Sequence, residues 1–139
     1  MRVYARVVDE HCYCAALRAA TRRVTALYDD ALAPAGVNLA QYSLLRTVAR
    51  RTAVSLSELG GVTGLDRSTI GRNVRLLQRM ALVAITPGQD RREATVSVAP
   101  AGEDALRRGA AAWEEAQARV RAALGGDGTA ALLSILTAL

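Results

Sequence analysis

One helix-length segment constrains this chain more than any other. In Asp66 to Met80, DRSTIGRNVRLLQRM, apolar and cationic residues separate at helical spacing. Ile70, Val74 and Leu77 recur at intervals of four and three, which places them on one face of a helix. Advancing about 100° per residue from Ile70 carries Ser68, Arg72, Arg75 and Arg79 to the opposite face. Asp66 suits the N-cap, because a carboxylate just ahead of the first turn accepts from amides that have no partner inside the helix. The preceding residues predict a brief helix containing Leu59 and Val62, N-capped by Ser57 and stopped at Gly64. Thr63-Gly64-Leu65-Asp66 is then a tight turn, and two helices joined this way make a helix-turn-helix.

The second helix of such a unit lies in the major groove of DNA with its N-terminal side chains at base edges. Arg bonds guanine bidentately, and Ser and Thr reach bases or phosphates. Arg67, Ser68, Thr69 and Arg72 are therefore the candidates for base-edge and nearby phosphate contacts, with Arg75 and Arg79 placed for phosphates. A solvated surface helix can carry the same charges, so the stripe alone leaves both readings open. The next residues favour DNA. Val83 to Thr86 and Ala94 to Val98 are short β-branched runs joined by PGQDRRE, which predicts a two-stranded ribbon with a charged tip. That tip projects Arg91 and Arg92, a shape suited to an adjacent minor groove or its phosphates. Asp90 beside them is expected to orient an arginine through a charge-assisted hydrogen bond.

On either side the periodicity predicts longer helices. One runs from Asp9, as N-cap, to about Ala33, carries Leu17, Val24, Leu27, Tyr28 and Leu32, and ends at Pro34 and Gly36. A second spans about Asn38 to Arg51, with Tyr42, Leu45 and Val48 inward. Pro100 opens another that reaches about Leu124, in which Leu106, Trp113 and Val120 fall seven apart. Gly125 to Gly128 break the chain, and Thr129 to Leu139 form a last apolar helix. The fold class is mainly α with a small β-hairpin wing. Residues 37–99 form a winged helix-turn-helix, and residues 1–36 and 100–139 supply helices to a dimerisation region, all within one domain, as 139 residues allow. The apolar fraction is high but rich in Ala, with no Phe, so each buried residue removes little area from water. A second copy is the natural remedy, with Leu17, Val24, Leu106, Trp113 and Val120 as its expected contacts.

Charge and thiols narrow the function classes. All 18 basic residues are Arg, and the net charge of +5 suits a polyanionic partner. No apolar run approaches the roughly 20 residues of a membrane span, and the N-terminus lacks a signal peptide's apolar stretch. A soluble, cytoplasmic protein with no membrane partner is expected, with Cys12 and Cys14 as reduced thiols. Placed in the first helical turn, Cys12 would have its thiolate favoured by amide donors, and His11 stands three residues before Cys14. The two thiols read either as small apolar residues buried in an interface or as redox sensors. Spacing of i and i+2 within a helix argues against a disulfide between them. One His and two closely spaced Cys do not make a zinc site, so no metal or cofactor is expected. No Ser-His-Asp set, phosphate loop or carboxylate pair can be assembled, so the chain is read as a non-enzyme.

The chain resembles the MarR family of winged helix-turn-helix regulators. The matching residues are AQYSLLRTV (Ala40 to Val48), LSELGGVTGLDRSTIGRNVRLLQRMALV (Leu56 to Val83) and DRREATVSVAPAG (Asp90 to Gly102). The resemblance implies an obligate homodimer joined by its first and last helices. It further implies binding to palindromic operators in double-stranded DNA, usually for repression relieved by a small ligand or by oxidation. Three places depart from the pattern: Ala81 stands for the usual Gly, Ala99 for the usual Thr, and the first wing strand lacks arginines. Cys14 falls where the organic-hydroperoxide-sensing branch carries its reactive cysteine, and Tyr28 matches a tyrosine that holds that thiol. The other tyrosine position is Arg18. The resemblance also puts an effector pocket between the dimerisation helices and the DNA module, where Tyr28, Tyr42 and Arg46 would suit an aromatic or anionic ligand. The competing readings are a thiol-based peroxide-reducing protein using Cys14 and a helical interaction module that does not bind DNA.

Overall fold

The computed structural model describes residues 12–88 and 94–139. The first helix, α1 (Tyr13–Leu32), starts later than its periodicity predicts. Its N-cap is Cys12, in extended conformation, whose Sγ accepts from the Ala15 amide at 3.4 Å. Asp9, the expected cap, lies outside the described residues. A single 3₁₀ turn (Ala33–Ala35) follows, with Pro34 at its start and Gly36 in the left-handed region at φ 78° to end it. Asn38 and Gln41 then exchange side-chain and backbone hydrogen bonds as a capping box for α2 (Leu39–Ala49). Asp29 Oδ1 accepts from the Leu39 amide at 2.7 Å, which fastens the end of α1 to the start of α2.

The helix-turn-helix is present, with one cap corrected. Ser55 rather than Ser57 caps α3 (Leu56–Thr63), because only Ser55 has a Glu three residues on: Ser55 Oγ accepts from the Glu58 amide, and Glu58 accepts from the Ser55 amide. Gly64, at φ 68°, ends α3, and Asp66 caps α4 (Arg67–Arg79). The ribbon follows as β2 (Val83–Thr86) and β3 (Thr95–Val98), antiparallel with Ile85 opposite Val96. It is not two-stranded. A short β1 (Val54–Ser55), just before α3, pairs with the other edge of β3, Val54 opposite Val96, giving a three-stranded sheet in the order β1-β3-β2. Two residues are too few to display alternation, so periodicity could not announce it.

The last helix, α5 (Pro100–Ala138), is interrupted at Gly125, whose φ of 70° and ψ of 175° are not helical. The expected break is therefore confined to that residue, and helix resumes at 126 rather than at Thr129. The buried seam of α5 consists of small residues: Gly102, Ala105, Gly109 and Ala116. A Cβ on Gly102 would lie 2.0 Å from the Leu82 carbonyl oxygen, and one on Gly109 would lie 2.7 Å from Tyr42 Cε2. These glycines let α5 sit directly against the loop before β2 and against α2, and the Ala99 amide donates to Leu82 O at 3.0 Å in the same joint. With the helix this close, Leu106 and Trp113 become partly buried against the chain's own core. They contribute to the fold of the single chain as well as standing among the expected dimer contacts. Leu17 remains 44% exposed, and Val24 and Val120 are half-buried. The core is completed by Leu32, Leu45, Val48, Leu59, Ile70, Leu77 and Val96, each almost entirely removed from water.

Candidate nucleic-acid interface

Ile70, Val74 and Leu77 anchor α4 in the core. Burying them fixes the helix's rotation, and the opposite face follows: Arg67, Ser68, Arg72, Arg75 and Arg79 are all exposed, with Thr69 half-buried at the first turn. Among the described residues, no acidic side chain pairs with Arg67, Arg72, Arg75 or Arg79. Such unpaired guanidinia on a rigid helix attract polyanions without first breaking an internal ion pair.

Asp66 organises the helix start. Its carboxylate accepts from the Thr69 amide at 2.8 Å, the Ser68 hydroxyl at 2.7 Å and the Thr69 hydroxyl at 2.9 Å. The Ser68 hydroxyl, then the Thr69 amide and hydroxyl, hold the carboxyl pKa down to about 2. Ser68 and Thr69 thus have their protons engaged, and in this state they offer lone pairs to a neighbour rather than donors. Any donation from either hydroxyl to a phosphate requires it to leave Asp66. The arginines carry no such condition. Asp90, Arg91 and Arg92, the expected wing tip, lie outside the described residues; β2 and β3 are the strands that lead to it.

A model of the MarR family matches residues 35–93, which span α2, α3, α4 and β2. The solved structure of the transcriptional regulator MosR from Mycobacterium tuberculosis in complex with DNA is 31% identical. It covers 91% of this chain and 92% of its own, with a TM-score of 0.82. The chain belongs to the MarR family. A probable transcriptional regulator from Pseudomonas aeruginosa is similar at 27% identity, 93% and 96% coverage and a TM-score of 0.80. BpsR from Bordetella bronchiseptica, at 21% identity, 94% and 95% coverage and a TM-score of 0.79, shares the fold. No curated protein sequence matches the chain.

Within this MarR-family fold the remaining candidates fall into two groups. Cys12 and Cys14 are exposed free thiols at the very start of α1. Because Cys12 is the N-cap and not a helical residue, the helical i, i+2 geometry does not describe this pair. Cys14 and Tyr28 share α1 fourteen residues apart, about 21 Å along the axis, so they cannot meet within one chain. Tyr28 is instead buried and donates its hydroxyl to Gln117 Oε1 of α5. Burial raises its pKa, and Arg121 partly opposes the shift. His11 lies outside the described residues.

The other group is Tyr42 and Arg46 on α2. The Arg46 guanidinium stacks 3.9 Å from the centroid of Trp113 and 5.9 Å from that of Tyr42. Trp113 is thus the partner the sequence did not assign to Arg46, since nothing local connects residues so far apart in the chain. Tyr42 is buried against Gly109; burial raises its pKa, Arg46 lowers it and Glu114 raises it. Tyr28, Tyr42 and Arg46 therefore form part of the layer joining α1 and α2 to α5. Two cavities beside α2, of about 90 and 330 Å³, lie towards α4 and share Ala40, Leu44 and Asn73; none of the three expected effector residues lines either.

Proposed function

We propose that this MarR-family regulator is a homodimer that binds a palindromic operator in double-stranded DNA and represses transcription. The observation that carries the reading is the exposed face of α4, whose arginines have no acidic partner among the described residues while its other face is locked in the core. In this reading Arg67, Ser68, Thr69 and Arg72, at the start of α4, meet base edges, and Arg75 and Arg79 follow along the groove. Asp90, Arg91 and Arg92, which lie outside the described residues, contribute the contacts expected of a wing tip. Two copies of α4 reading two half-sites require a dimer, and the apolar surface for one is at hand. Leu17 on α1 and Leu132, Leu133 and Leu136 on α5 are exposed, the last at 79%. The protein acts by binding, without catalysis, and does so in the cytoplasm.

Two signals fit the proposed release. BpsR, whose DNA binding is regulated by 6-hydroxynicotinic acid, supports a small aromatic or anionic effector. In this chain Arg46, stacked on Trp113 beside Tyr42, is the cation such a ligand would meet. Oxidation of Cys12 or Cys14 is the alternative signal, and both thiols are open to solvent.

The test is binding to a duplex enriched by the protein from a random-sequence pool. Affinity for that duplex should fall steeply with salt, as counterion release requires. Arg72→Ala should blur discrimination among related sequences, whereas Arg92→Ala should lower affinity for all of them. Equal, sequence-independent losses from both would sink the assignment of roles. For the thiol signal, peroxide should release the duplex from the wild type but not from Cys14→Ser; identical responses would exclude it.

A further inference from the structure

α4 holds one glycine, Gly71, in its interior. Glycine inside a helix is costly, because it gives up more backbone freedom than alanine and contributes no side chain to packing. Gly102 and Gly109 have reasons for that cost inside the fold, since a Cβ at either would strike the Leu82 carbonyl or the Tyr42 ring. Gly71 has neither that reason nor a conformational one. A Cβ built there meets nothing within 4 Å, and the residue is not in the left-handed region. The chain itself gains nothing from leaving the side chain out.

What the omission shapes is the outer surface. Ser68, Gly71 and Arg75 follow one another at spacings of three and four, so they share a ridge, and Gly71 is the notch between a hydroxyl and a guanidinium. At about 100° per residue, Gly71 falls about 40° outside the arc that holds Ser68, Arg72, Arg75 and Arg79, on its flank rather than at its centre. A helix lying in the major groove turns the centre of such an arc to the base edges and its flanks to the groove walls. Those walls are sugar and phosphate.

We infer that a sugar–phosphate strand of the operator crosses α4 at Gly71, close to the main chain because no side chain stands between, with Arg75 beside it to neutralise phosphate. This rests on α4 being the DNA-reading helix. Gly71 is then a positioning residue for the whole interface: it sets how deeply α4 seats.

The full chain with Gly71→Ala and Gly71→Leu tests it, against the enriched duplex and its single-base variants. Both substitutions favour the helix, so the melting temperature should rise by about 3 °C for Gly71→Ala. Affinity for the duplex should nevertheless fall roughly ten-fold with Ala and further with Leu. The loss should be the same on every single-base variant, because a groove wall carries no sequence information. Unchanged affinity in both variants would overturn the inference, as would a loss that depends on the base. A lower melting temperature would also overturn it, by showing that the fold needs the glycine. Failure of the wild type to bind any duplex in a salt-dependent way would remove the DNA reading as well, which separates that failure from the others.

Discussion

Between Leu39 and Val98 the helices and strands bury side chains against one another: Leu45 and Val48 from α2, Leu59 from α3, Ile70, Val74 and Leu77 from α4, Val96 from β3. The two ends of the chain do far less. α1 buries only Tyr28 and Leu32 of its 20 residues, and α5 buries Gly102, Ala105, Gly109 and Ala116 while leaving Leu124, Leu132, Leu133 and Leu136 in water. The contrast separates two kinds of stability. The middle buries most of its apolar side chains, whereas the ends leave apolar area exposed, the surface that the proposed second copy would cover.

The sharpest break of that comparison is a cavity in the middle. Leu45→Ala removes a side chain with no exposure, which costs about 3 kcal/mol in large-to-small substitutions of this kind. Urea unfolding should show the loss at every protein concentration. If the cost scaled with concentration instead, the middle would not be self-sufficient. The complementary experiment replaces Leu133 and Leu136, 60% and 79% exposed, by Ser. Sedimentation should move from dimer to monomer, and the melting temperature should lose its dependence on concentration. A variant that remains dimeric would mean that the carboxy-terminal helix is not what the second copy covers.

Legibility in the sequence follows the same division. The helices of the middle could be read because local signals agreed there: Asp66 ahead of Arg67, Gly64 after Thr63, and an apolar stripe at Ile70, Val74 and Leu77. The cap of α3 could have been read correctly too, from the Ser-x-x-Glu spacing of Ser55 and Glu58. β1 could not, since two residues have no period. In α5 the eye goes to Leu106, Trp113 and Val120, yet the helix packs through glycine and alanine, where closeness of backbones and not side-chain size decides. For the candidate site, the arginine stripe was visible as a face. The stacking of Arg46 on Trp113 and the bond from Tyr28 to Gln117 join residues far apart in sequence, so only the fold reveals them.

Asp66 offers a finer probe of the middle, through pH. Its folded pKa is depressed from 3.8 to about 2, so its contribution is fully present above pH 3.8 and disappears as pH falls through about 2. Asp66→Asn keeps an oxygen for the Thr69 amide but abolishes the titration. The wild type should therefore melt above the variant at pH 5, and the gap should close between pH 4 and pH 2. A gap that stays constant over that interval would mean that the carboxylate charge plays no part in holding the start of α4.

The smallest effects come from two residues whose backbone conformation and identity are mismatched or matched. Ala81, at φ 60° between α4 and β2, is an L-residue in the left-handed region, where its Cβ crowds the following carbonyl. Ala81→Gly relieves that strain but adds freedom to the unfolded chain, leaving a net gain of about 0.5 kcal/mol. Gly125, at φ 70° and ψ 175° in α5, is the reverse case: the space around it is open, but only glycine adopts that conformation readily. Gly125→Ala should cost about 1 kcal/mol or more. Because the residue links the packed part of α5 to the exposed leucines beyond it, that cost should fall on dimerisation. Ala81→Gly should raise the melting temperature equally at low and high protein concentration, while Gly125→Ala should shift the monomer–dimer equilibrium. Were Gly125→Ala to lower the melting temperature of the monomer by the same amount as that of the dimer, the segment after the break would belong to the fold of the single chain, and the division between middle and ends would have to be redrawn at Gly125.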